Sequence, residues 1–416
     1  MAMGKGNSAI ERKQGTLLFM VKRTLVLLGI GRRSYSKKTL ALMCFGMVLV
    51  NNKRMDKGRF YYNHSFHMLQ CLVFVIRKSF SVCLYRLFFG HSDHPYWSPL
   101  DEIVVRTIGF AAQIGEVTAP RIGLRAFAKI QRMVASVYED VYVREVLLQS
   151  ERGHDALWIT LDKSLEIGSC PMIMYFHGGG YCVGEAGMWL TALKKWLQDL
   201  ATEQGIIAGI LSVEYPLAPE VKFPENLQFA FKAYDRVLSK AGVCAESIIL
   251  AGDSAGGAMA FAVAQHAKQH CEGDLAGLVL ISPWMNHSCE TDSHVEHAST
   301  DYLSAHPCII GEYSVAYCDD IDKAYEDPRI SALHSDVAPL PPVMLTYGTR
   351  EVFIDDVLQF KNNLESHGKF VRVHAGDDCP HVHPVLYPLF RKESTRALSE
   401  IAAFSAEMLR ANNPSP

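Results

Sequence analysis

From about residue 137 onward, short runs rich in β-branched and aromatic residues alternate with helix-length amphipathic stretches. That alternation predicts a largely parallel sheet covered by helices. Segments 141–148 and 156–161 predict an opening antiparallel pair, and further strands are expected at 172–176, 206–213, 247–251, 278–282, 343–347 and 370–374. Amphipathic or small-residue stretches predict helices over 225–240 and 258–267. Pro339, Pro341 and Pro342 stiffen the approach to the penultimate strand, and the polar stretch 286–336 reads as a cap-side insertion. The chain shows no internal repeat and no low-complexity segment.

The first 92 residues follow a different rule. Apolar stretches at 17–30, 40–50 and 66–89 are each short or broken by cations, whereas a bilayer crossing needs about 20 apolar residues. Lys22 and Arg23 interrupt the first; Arg77, Lys78 and Arg86 stand in the third, which also suits an interfacial amphipathic helix with Phe74, Phe80, Leu84, Leu87 and Phe88 facing lipid. A transit peptide, a signal anchor, a surface helix and helices packed over the rest of the chain are all compatible with this pattern.

Charge separates the same two regions. The formal net charge of -3 conceals 16 Lys/Arg against two acids in residues 1–92, and 25 against 42 in the remainder. An acidic body repels phosphates, which speaks against a nucleic-acid enzyme, while the basic leader suits membrane contact or targeting. The 11 cysteines show no CxxC pair, so no disulfide framework or zinc ribbon is implied. Cys289 and Cys308 lie among His287, His294, His297 and His306, but at spacings that match no zinc pattern, and no metal is expected.

The strand at 247–251 runs into Gly252-Asp253-Ser254-Ala255-Gly256 and then a small-residue helix. Strand, Gly-x-Ser-x-Gly, helix is the nucleophile elbow, in which glycines allow a tight turn that leaves the serine hydroxyl exposed above the sheet. A serine that merely capped the helix would not need glycines on both sides. Upstream, His177-Gly178-Gly179-Gly180 follows the strand at 172–176. Backbone amides free of side chains there can converge on a developing oxyanion, each worth about 3 kcal/mol of transition-state stabilisation, and the Ala255 amide would join them.

Taken together, HGGGY at 177–181, YPLAPE at 215–220, FPE at 223–225, GDSAGG at 252–257 and SPW at 282–284 resemble the hormone-sensitive-lipase family of α/β-hydrolases over about residues 94–410. The resemblance implies an α/β-hydrolase fold with a mostly parallel eight-stranded sheet and an N-terminal helical cap. The chain then divides into a leader (1–92), a cap segment (93–136) and a catalytic domain (137–412). The leader gains nothing from the match.

In this fold the triad runs serine, acid, histidine along the chain. The loop from Gly348 to Asp356 is similar to the family's acid loop and registers Glu351 as the acid, where the family usually has Asp; Asp355 is the alternative. Asp355 and Asp356 also suit the first turn of a helix. The loop from Gly376 to His383 matches the family's terminal loop and favours His381 over His383, with His374 as a strand residue.

Ser254 is then the nucleophile, His381 the base and Glu351 its orienting partner. The oxyanion-hole residues are Gly178, Gly179, Gly180 and Ala255, with the amides of Gly179, Gly180 and Ala255 as donors, while His177 and Asp253 support the motifs. The implied activity is a cofactor-free serine carboxylesterase acting on short- to medium-chain, above all acetyl, esters of hydrophobic alcohols. Alternatives on the same scaffold are a non-catalytic small-ligand-binding protein, against which His381 argues, and an acyltransferase or amidase. The leader suggests the endoplasmic reticulum membrane or another membrane surface, with the cytoplasm as the alternative.

Overall fold

The computed structural model describes residues 73–83, 85–86, 97–114, 118–138, 140–148, 155–270, 273–288, 290–303 and 307–412. The chain divides into two units, residues 1–66 and 67–416. The apolar stretches 17–30 and 40–50 lie outside the described residues, as do Leu84, Leu87 and Phe88.

The helical residues 73–83 and 85–86 belong to the second unit because they pack on it. Phe74 stacks on Phe110 at 4.2 Å, Val82 is buried, and Arg86 donates to the Trp97 carbonyl. Phe74 therefore faces protein, whereas Phe80 is exposed. Helix Pro99–Ile114 starts where its sequence dictates, with proline in the first turn and Ser98 and Asp101 bonding each other's amides reciprocally. Helix Thr118–Tyr138 follows. Among the described residues no helix is long and apolar enough to cross a membrane.

Eight strands form one sheet: β1 Tyr142–Val146, β2 Ala156–Thr160, β3 Met172–Phe176, β4 Gly209–Val213, β5 Ile248–Asp253, β6 Gly277–Ile281, β7 Val343–Gly348 and β8 Val371–Gly376. Their order is β1-β2-β4-β3-β5-β6-β7-β8, with β1–β2 and β2–β4 antiparallel and every other pair parallel. The α/β-hydrolase fold and the antiparallel opening expected from the sequence are both observed. β4 starts at Gly209 rather than 206. Ile207 is exposed, and only a residue without Cβ fits beside the Trp158 indole at 209.

β2 to β6 are buried along their whole length because helices cover both faces. Alternating side chains sort to opposite sides. Met174, Leu250 and Leu280 pack with helices Glu225–Ala241, Ala255–His270 and Ile354–Ser366. Ile173, Ile249 and Val279 pack with helices Leu190–Thr202 and Arg391–Asn412. The stretch 286–336 connects β6 to β7 and carries helices Ser293–Glu296, Pro307–Tyr317 and Ile321–Glu326. With β3, β5, β6, β7 and β8 parallel and adjacent, the loops at their carboxyl ends share one edge of the sheet, where such folds place their ligands.

Candidate active site

Ser254 follows the last residue of β5, in the left-handed region at φ 53°. That geometry is uncommon for a residue with a side chain and is held here by the surroundings. A Cβ on Gly256 would stand 2.1 Å from the Phe176 carbonyl oxygen, and one on Gly252 2.2 Å from that of Gly256, so both positions require glycine. The Ser254 amide donates to Ile281 O (2.9 Å), and its carbonyl accepts the Gly257 and Trp284 amides at 3.0 Å. The turn after β6 thus grips the elbow from both sides.

At the end of neighbouring β3, the Gly178 amide donates to Asp253 Oδ1 at 2.9 Å. That oxygen also accepts the Tyr175 hydroxyl (2.6 Å) and the Trp189 indole N–H (3.1 Å). Burial pushes the Asp253 carboxyl up to about 6 against these donors. Asp253 is therefore a strut between elbow and glycine loop, and Gly178 is engaged with it rather than offered to a ligand. Gly179 and Gly180 carry positive φ values of 113° and 58°. Their amides, with that of Ala255, have no acceptor among the described residues. His177 stacks on Tyr215 at 4.3 Å with Nδ1 2.8 Å from the Gly178 carbonyl, and burial lowers its pKa to about 4, leaving a neutral imidazole that steadies the loop.

Beyond β7 and β8 the structure brings Glu351 and His381 together, with Oε2 3.7 Å from Nδ1. Glu351 is fully buried, His381 is 2% exposed and Ser254 8%. Glu351 Oε2 accepts the Ser282 hydroxyl at 2.6 Å and the Gly348 amide at 3.2 Å. The His381 ring lies edge-on to Phe353 (5.1 Å) and Tyr302 (6.0 Å), and the Tyr302 hydroxyl donates to the His381 carbonyl. Neither His381 ring nitrogen makes a hydrogen bond. Catalytic hydrogen bonds often tighten only once substrate is bound.

The two alternatives sit elsewhere. Asp355, in the first turn of helix Ile354–Ser366, accepts the Ser293 amide at 2.8 Å. His383 is fully buried, its ring against Gly376 where any Cβ would stand 2.4 Å from it; burial first, then the charges of His374 and Arg396, hold its pKa well below the usual imidazole range. His374 lies on β8 with Nδ1 3.0 Å from Glu400.

Of the histidines grouped near Cys289 and Cys308, His287 meets the Ser314 hydroxyl (2.9 Å) and His294 that of Thr291 (2.8 Å). Among the described residues no cluster of His, Cys, Asp and Glu is arranged to hold a metal. Cys289, His306 and the Cys308 side chain lie outside the described part. Sequence reasoning overlooked Asp301, which accepts the Val352 amide at 2.9 Å, and Ser282. Ser282 carried a signal, the Ser-Pro-Trp motif, while Asp301 carried none.

A family profile described as the alpha/beta hydrolase fold matches residues 173–385. An esterase of Acinetobacter venetianus is 27% identical over 274 residues, 64% of this chain and 83% of that one. An acetyl-hydrolase of Streptomyces hygroscopicus is 29% identical over 238 residues, 56% of this chain and 74% of its own length. A solved hormone-sensitive lipase from a metagenome library superimposes with a TM-score of 0.62 at 26% identity, covering 74% of this chain and 98% of that one.

Proposed function

Because this chain belongs to the hormone-sensitive-lipase family of α/β-hydrolases and is a carboxylic ester hydrolase, we propose that it works as a serine esterase through an acyl-enzyme on Ser254. The observation that carries this reading is the pairing of His381 with Glu351 at 3.7 Å, at the same edge of the sheet as a serine in left-handed geometry. His381 takes the Ser254 proton as the hydroxyl attacks the ester carbonyl, and Glu351 steadies the imidazolium that forms. The amides of Gly179, Gly180 and Ala255 receive the oxyanion. His381 returns the proton to the leaving alcohol, and water activated by the same imidazole releases the acid.

This reading takes the acyl group to be short, above all acetyl, since one relative is named an acetyl-hydrolase. Incubation with a fluorophosphonate should label one serine, and peptide mass spectrometry should find the adduct on the peptide containing Ser254. Labelling elsewhere, or none in protein that turns over p-nitrophenyl acetate, would reject the assignment.

The alcohol part is proposed to be hydrophobic and delivered from a lipid surface. Val73, Ile76 and Phe80 are exposed on one face of the first helical stretch, next to exposed Arg77. Helix Thr118–Tyr138 exposes Phe127, Ile130 and Met133 beside Arg125 and Lys129. An apolar stripe bordered by cations suits the headgroup boundary of an anionic membrane. The full chain should float with vesicles of phosphatidylcholine and phosphatidylserine, and Ile130→Asp with Met133→Asp should weaken flotation while leaving turnover of soluble p-nitrophenyl butyrate unchanged. Equal flotation of variant and parent removes this helix as the contact.

A further inference from the structure

We propose that Ser282 is a positioning residue of this site, acting through its hydroxyl on the acid and on the histidine loop at once. The inference rests on Glu351 and His381 working as proposed above. Ser282 directly follows β6, is fully buried, and adopts φ 44°, a left-handed conformation that a serine rarely takes. Its amide is tied to Thr346 O on β7 at 2.7 Å. Held in this way, the side chain lies between two segments far away in sequence. Oγ donates to Glu351 Oε2 at 2.6 Å and accepts the Val382 amide at 3.0 Å.

The direction of the two bonds follows from the donors available. Val382 N–H can only donate, so it occupies a lone pair of the hydroxyl, and the Ser282 proton is left for the carboxylate. The oxygen it holds is the one facing His381 Nδ1 at 3.7 Å. Ser282, together with the Gly348 amide, therefore sets where that oxygen stands, while its bond to Val382 fixes the residue next to the imidazole. A carboxylate longer by one methylene than the family's usual Asp has one more torsion to restrain, and Ser282 supplies the restraint. A hydrogen bond to a buried charge has few substitutes once removed.

The test is a double-mutant cycle on the full chain with p-nitrophenyl butyrate. Ser282→Ala should lower kcat about 10- to 100-fold, the range expected for losing a hydrogen bond to a charged group, with KM within about threefold. Ser282→Gly should fall as far, although glycine adopts φ 44° freely, because the hydroxyl is what matters. On a Glu351→Gln background, replacing Ser282 should cost less than about threefold. Losses that simply multiply, or wild-type kcat in Ser282→Gly, would overturn the proposal. If Ser282→Ala does not fold, Ser282→Cys takes its place and should give an intermediate kcat, its weak S–H donor preserving part of the effect; full activity there would also overturn it. Failure of the esterase reading itself would show separately, as turnover surviving the loss of Ser254.

Discussion

Ser254→Ala is expected to lower kcat for p-nitrophenyl acetate and butyrate by at least about 10⁴-fold, with thermal stability almost unchanged. The size follows from what the substitution removes. Without the hydroxyl there is no acyl-enzyme, and only the amides of Gly179, Gly180 and Ala255 remain to assist direct attack by water. Stability should hold because the elbow is fastened by main-chain groups: the Ser254 amide to Ile281 O, and its carbonyl to the amides of Gly257 and Trp284. Alanine at φ 53° bears much the same backbone strain as serine. Steady-state assays and a melting curve on one preparation settle the matter, and activity within tenfold of the parent would end the proposed mechanism.

His381→Leu is expected to be nearly as damaging, while His383→Leu, two residues on, should leave kcat within about threefold. His381 is the imidazole that faces Glu351, its Nδ1 3.7 Å from Oε2. His383 instead presses against Gly376, with both ring nitrogens buried and without partners. Leucine of similar volume removes two unsatisfied polar atoms, so the melting temperature of His383→Leu should stay level or rise. The opposite ranking in activity would move the base to His383.

How far the sequence could be read depended on whether a feature was local. The strands, the elbow at Ser254 and the glycine loop after β3 are written in contiguous stretches, where a buried run meets residues that only a tight turn requires. The boundary at Gly209 was misplaced because Ile206 and Ile207 look like strand, and the Trp158 ring that decides the position comes from another strand. The choice between Glu351 and Asp355 needed the family register, since both follow the same strand. The structure separates them by pairing one with His381 and the other with the Ser293 amide. Gly178 looked like any other member of its loop because nothing in a linear motif shows that the Asp253 side chain turns back to take its amide. Ser282 was harder still, its two partners lying 69 and 100 residues away.

The turn from Ile281 to Trp284 holds the serine's amide and carbonyl, the acid's carboxylate and the amide beside the histidine. Three arms of the chain are thereby measured from a common datum. In such an arrangement positional errors are correlated: a displacement of the turn carries Ser254, Glu351 and the segment of His381 in the same direction, and their mutual distances survive. Three arms fixed to separate parts of the sheet would instead accumulate independent errors, at separations where 1 Å can cost on the order of 100-fold in rate. Tolerance to thermal motion is in this sense a property of one four-residue turn.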